Sequence, residues 1–80
     1  MSEKLAIDNV EKPLVVDANG LAVLISAKLR TVRAYDASGK IPSPVRIGGK
    51  VLWRVEEIKR WLAAGAPSRE VWAAMCAARK

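Results

Sequence analysis

Ser26–Arg54, SAKLRTVRAYDASGKIPSPVRIGGKVLWR, is the stretch on which the fold turns. It carries seven cations, Lys28, Arg30, Arg33, Lys40, Arg46, Lys50 and Arg54, against one acid, Asp36. The segment is therefore +6, the same as the whole 80-residue chain, so everything outside it sums to zero. Positive charge concentrated in this way on a small domain is the footprint of a polyanion ligand. The stretch reads as a helix over about Lys28 to Ser38, a stop, and then a tight basic hairpin.

Each of those elements has a local cause. Val32 and Tyr35 lie three apart and mark the expected buried face of the helix, leaving Lys28, Arg30 and Arg33 mostly off it. Gly39 stands where a helix C-terminus wants a left-handed residue, with Ile41 and Pro42 following. Pro42-Ser43-Pro44 cannot continue a helix and forces an extended turn. Val45-Arg46-Ile47 and Val51-Leu52-Trp53-Arg54 are β-prone runs around Gly48-Gly49-Lys50, the pattern of a hairpin. Simple alternation places Val45, Ile47, Val51 and Trp53 on one face, sends Arg46 and Arg54 elsewhere, and puts Lys50 at the tip.

Upstream, Asp17 is an N-cap for a first helix over about Ala18 to Leu24, with Leu21, Ala22 and Ile25 facing inward. Gly20 within it costs roughly 1 kcal/mol relative to Ala in helix propensity. Pro13-Leu14-Val15-Val16 is a short strand or an extended entry. Residues 1–12 are polar and mixed in charge and predict a flexible arm, with ordering on a partner as the alternative. Downstream, a helix over about Val55 to Ala64 carries Glu56 and Glu57 in its first turn, where carboxylates suit the dipole. Ile58, Trp61 and Leu62 form its inward stripe, and Gly65 ends it. Pro67-Ser68 starts a last helix to about Ala78, with Val71, Trp72, Met75 and Cys76 on one side. Asp36 and Lys40, four apart, are placed for a weak pair. The organisation is thus an arm at 1–12, a domain at 13–65 and a C-terminal helix within 66–80.

Length and composition restrict the function. A chain of 80 residues makes one small domain whose stability is about 5 kcal/mol or a little more. That leaves no room for a deep enzyme cleft. No apolar run approaches the ~20 residues of a membrane span, and the N-terminus lacks the apolar centre of a signal peptide. A single cysteine, Cys76, fits a reducing cytosol. With no His and one Cys, no zinc site is expected and the commonest general base is missing. The expectation is a non-enzyme without a cofactor or metal, cytoplasmic, in a bacterial or phage-infected cell and nucleoid-associated.

The helix-break-helix of 18–38 resembles a helix-turn-helix, with Leu21, Ala22, Ile25, Ala27, Val32 and Tyr35 as its apolar anchors. Ala22 suits a close helix crossing. Tyr35–Leu62, YDASGKIPSPVRIGGKVLWRVEEIKRWL, resembles the winged helix-turn-helix of the MerR-like superfamily in its small excisionase and AlpA-like form. The resemblance spans about residues 14–64. Its most specific parts are RTVRAYDASGKIP, PVRIGGKVLWR and EEIKRWL. It implies an α+β, mostly helical fold with a recognition helix near 28–38, a small β-hairpin wing at 45–54 and a supporting helix. It also implies binding of double-stranded DNA. The chain departs from the pattern at Ser26, where the inter-helix turn usually carries Gly, and at Lys28, where the recognition helix usually opens on a Ser or Thr cap. Ser26 is then expected to supply a cap shifted by a residue or two.

Within that frame Arg30, Thr31 and Arg33 are the base-reading candidates. Arg reaches guanine O6 and N7 bidentately, and Thr touches a thymine methyl or a phosphate. Thr31 has a second use, satisfying backbone near the helix start. Lys28 and Lys40 are point charges and suit phosphates. In the wing, Gly48 and Gly49 let backbone approach a phosphate or a narrow minor groove, with Arg46, Lys50 and Arg54 clustered around them. A solvated helix face and a bare Gly-Gly turn are the plain alternatives, but they do not explain the clustering. Trp53 and Trp61 are expected in the core rather than as stacking platforms, and no aromatic surface for RNA is evident. The function expected is sequence-specific DNA binding by a small transcriptional regulator or a recombination directionality factor. The alternative is a phage packaging or assembly module that recognises DNA and docks a larger protein through the C-terminal helix. Self-association through that helix is the other partner expectation.

Overall fold

Asp17 begins the first helix as its chemistry predicts: its Oδ1 accepts a hydrogen bond from the Gly20 amide at 2.9 Å. The computed structural model describes residues 13–78, so the arm expected at 1–12 lies outside the described residues. The elements are β1 (Val15–Val16), α1 (Ala18–Leu24), α2 (Leu29–Ser38), β2 (Val45–Ile47), β3 (Lys50–Arg54), α3 (Val55–Ala63) and α4 (Arg69–Ala78). Among the described residues these make an α+β domain, mostly helical, with a three-stranded antiparallel sheet ordered β1-β3-β2. The Val55 amide donates to the Leu14 carbonyl at 2.9 Å, closing the chain's entry onto the end of the sheet.

Gly20 is explained by packing rather than tolerated against propensity. A Cβ built there would lie 2.7 Å from Val16 Cβ, so only glycine lets α1 turn so tightly back on β1. Gly39 is left-handed, with φ 73°, and the Lys40 amide donates to the Tyr35 carbonyl at 2.8 Å, closing α2.

The core consists of Leu21, Ala22, Val32, Ile41, Trp53, Ile58, Trp61 and Trp72, with Val16, Ala18, Ile25, Ala27, Val51 and Cys76 packed against it. All three tryptophans lie inside, and each indole N–H has an acceptor. Trp53 donates to the Pro42 carbonyl at 2.9 Å, Trp61 to the Pro67 carbonyl at 2.8 Å, and Trp72 to Glu57 Oε2 at 2.9 Å. Burying these rings therefore leaves no unmet donor.

Sequence expectations for the hairpin, for Tyr35, for Leu62 and for α4 need correction. The hairpin turn has two residues, Gly48 and Gly49, both at positive φ, and Lys50 belongs to β3 opposite Ile47. Val45 faces Leu52, and Arg46 faces Val51. Directly opposed residues share a face, so Val45 and Ile47 lie on the side away from Val51 and Trp53, not with them. Tyr35 is at the rim, 36% exposed, rather than on a buried face. Leu62 is 45% exposed, so the stripe of α3 is Ile58 and Trp61 alone. On α4, Trp72 and Cys76 turn inward, one helical turn apart, while Val71 and Met75 are exposed.

Candidate nucleic-acid interface

The turn between α1 and α2 bends where the expected glycine is missing. Ser26 adopts φ 56°, the left-handed region that glycine enters freely and serine does not. The Ala27 amide donates to the Ala22 carbonyl at 2.8 Å, which brings α2 back across α1. Ser26 does not supply a shifted cap, because the N-cap of α2 is Lys28 and no side chain caps that turn. The bend uses Ser26 for its backbone instead.

From Val32 outward, α2 presents its cations to solvent. Val32 is fully buried, and Lys28, Arg30 and Arg33 are exposed. Arg30, Ala34 and Ala37 follow one another at helical spacing and are all exposed, so the outermost ridge is one long cation followed by two bare methyl groups. Thr31 is half-buried on the opposite flank from Arg33. Arg33 lines a cleft of about 320 Å³ with Asp17, Asn19, Asp36 and, from β3, Val51 and Trp53.

The hairpin divides its charges. Arg46 shares the face of Val51 and Trp53, on the side of this cleft, whereas Lys50 and Arg54 share the opposite face with Val45, Ile47 and Leu52. The structure therefore brings Arg46 to the same side as Arg33 and does not gather Arg46, Lys50 and Arg54 into one cluster. Gly48 and Gly49 form a bare tip, where an added Cβ would meet nothing within 4 Å. Positive φ at both positions is the requirement of the two-residue turn whose twist matches the strands, and it accounts for the pair of glycines. Lys40 lies beyond the end of α2, its Nζ 5.9 Å from the centre of the Tyr35 ring.

All seven cations of the basic segment are exposed. The ion pairs among the described residues, Arg69–Asp36 at 2.7 Å and Lys59–Glu56 at 3.6 Å, use none of them. The pair expected between Asp36 and Lys40 is replaced, since Asp36 is held by Arg69 from outside the segment. Sequence reasoning missed Arg69. The two partners are 33 residues apart, and no local pattern links them. Among the described residues no group of three or more Cys, Asp or Glu side chains could hold a metal ion. No helix among them is long and apolar enough to cross a membrane. Comparison with protein-family models finds no match, and neither do comparisons with curated proteins and with solved structures.

Proposed function

We propose that this chain is a sequence-specific double-stranded DNA-binding protein of the MerR-like winged helix-turn-helix type. In this reading α1, the Ser26 bend and α2 are the helix-turn-helix, and the β2–β3 hairpin is the wing. The second helix lies in the major groove with Arg30 and Arg33 toward base edges. Lys28 and Lys40 meet phosphates at either end of it. The Gly48-Gly49 tip, with Arg46 and Lys50 beside it, takes the flanking backbone or minor groove. The mechanism is binding alone, and affinity comes from counterions released as phosphates are neutralised.

One observation carries the reading. Seven exposed cations surround α2 and the hairpin, and the single acid among them is engaged by Arg69. The two alanines on the outer ridge of α2 support it further, because a small-residue ridge lets a helix sit close to a groove floor. The biological role is that of a compact transcriptional regulator or a recombination directionality factor. DNA bending on binding distinguishes the second from the first. The packaging alternative draws on Val71 and Met75, 50% and 38% exposed on α4, as a docking edge; a stable complex with a packaging motor through them would favour it.

Salt dependence tests the proposal directly. If about four cations meet phosphates, log K against log salt slopes near −3.6. Titration of a fluorescent duplex at several salt concentrations measures that slope. A slope near zero removes DNA from the account.

A further inference from the structure

Arg69 is the first residue of α4, and its three hydrogen bonds all run to the end of α2 and the chain that leaves it. Its amide donates to the Gly39 carbonyl at 2.9 Å, its Nε to the Ile41 carbonyl at 2.9 Å, and its Nη2 to Asp36 Oδ1 at 2.7 Å. The acceptors are thus the last turn of α2, its left-handed cap and a fully buried core residue. One turn further along α4, Trp72 fills the core and bonds Glu57 of α3. The clasp therefore links the end of α2 to the rest of the core through two elements that lie outside the basic segment.

We propose that Arg69 is a positioning residue for DNA reading: its guanidinium fixes the rotation of α2 about its axis, and with it the aim of Arg33. The proposal rests on the DNA-binding reading above. Arg33 and Asp36 are three apart and lie on one strip of the helix. Drawing Asp36 toward Arg69 sets the azimuth of that strip, so it sets where Arg33 points one turn earlier. The start of α2 has no side-chain cap, whereas its end carries the Arg69 clasp. Only a planar fork with two separate donors serves both the Ile41 carbonyl and the Asp36 carboxylate; a lysine brings the same charge to a single point. The clasp also withdraws the one acid of the basic segment from the DNA-facing charge. The C-terminal helix is then part of the reading apparatus rather than an appendage to it.

The test compares Arg69→Lys and Asp36→Asn with the parent chain. Each is titrated by fluorescence anisotropy against the parent's selected duplex and against a random-sequence duplex of equal length, with circular dichroism confirming the fold. Arg69→Lys keeps the net charge, so affinity for random DNA stays within about twofold of the parent. Affinity for the selected duplex falls about tenfold, the size of one lost base contact. Asp36→Asn removes an acid yet leaves Arg69 its two backbone acceptors, so it folds even where Arg69→Lys does not. It strengthens binding to random DNA and narrows the ratio of selected to random affinity. If the parent discriminates and both folded variants keep its ratio, Arg69 is merely structural and the proposal is wrong, whatever happens to the melting temperature. A parent that binds neither duplex overturns the DNA reading itself, and this inference with it.

Discussion

Arg33 leaves α2 one residue past fully buried Val32, about 100° round the helix from the buried direction. Arg33 there lines the cleft shared with β3, and in the proposed complex it reaches base edges from that side of α2. Arg33→Ala is expected to cost about 1–3 kcal/mol on the preferred site and much less on random DNA, flattening preference at one base pair. Lys40→Ala weakens both kinds of DNA alike. Binding selections on the two variants measure the difference; uniform loss from Arg33→Ala with preference intact makes Arg33 a phosphate clamp. That Arg33 lies off the buried face was legible from sequence, because it depends only on Val32 and the helical repeat. The Asp17 cap and the Gly39 stop were legible for the same reason, since both are rules of adjacent residues. Gly20 was not. Propensity alone marks it as a defect, and its purpose depends on Val16 coming within contact distance across the β1–α1 corner.

At the scale of elements, the hairpin shows how one residue of loop length changes a surface. Counting Gly48-Gly49-Lys50 as the turn sets Ile47 opposite Val51 and collects four apolar residues on one face. The actual two-residue turn sets Ile47 opposite Lys50 and reverses every assignment on β2 relative to β3. Two consecutive glycines at positive φ favour that shorter turn, because its twist matches the strands it joins. Under the proposed DNA-binding reading the register has a consequence for binding. Arg46 lies on the side of Arg33, and Arg54 on the other. Arg46→Gln is expected to reduce the salt slope by about 0.9, the share of one phosphate, and to weaken all duplexes similarly. Arg54→Gln leaves the slope near that of the parent. Equal changes from the two substitutions would mean that the hairpin meets DNA edge-on, with both faces engaged. Exposure of Tyr35 and Leu62 has a similar origin. Helical spacing identifies a stripe, but its width depends on what packs against it, which sequence periodicity does not contain.

Across the whole molecule, α4 is the element whose role was least legible, because the side-chain bonds that dock it on α2 and α3 are distant in sequence. Arg69 reaches Asp36 across 33 residues and Ile41 across 28, and Trp72 reaches Glu57 across 15. An apolar side of Val71, Trp72, Met75 and Cys76 is equally consistent with internal packing and with an interface. The structure divides it, with Trp72 4% exposed in the core and Val71 and Met75 outside. Removing everything after Gly65 deletes a core tryptophan, the acceptor of the Trp61 indole at Pro67, and the clasp on α2. Loss of a buried tryptophan side chain alone costs about 3–5 kcal/mol, against a total near 5 kcal/mol for a domain of this size. The truncated chain is therefore expected to lose its cooperative thermal transition at room temperature and to bind selected and random duplexes without preference. Circular dichroism melting and light scattering on the full-length and truncated proteins decide the matter. If truncation instead converts a dimer to a folded monomer of equal melting temperature, then α4 serves association, and neither the core assignment of Trp72 nor the clasp contributes to stability.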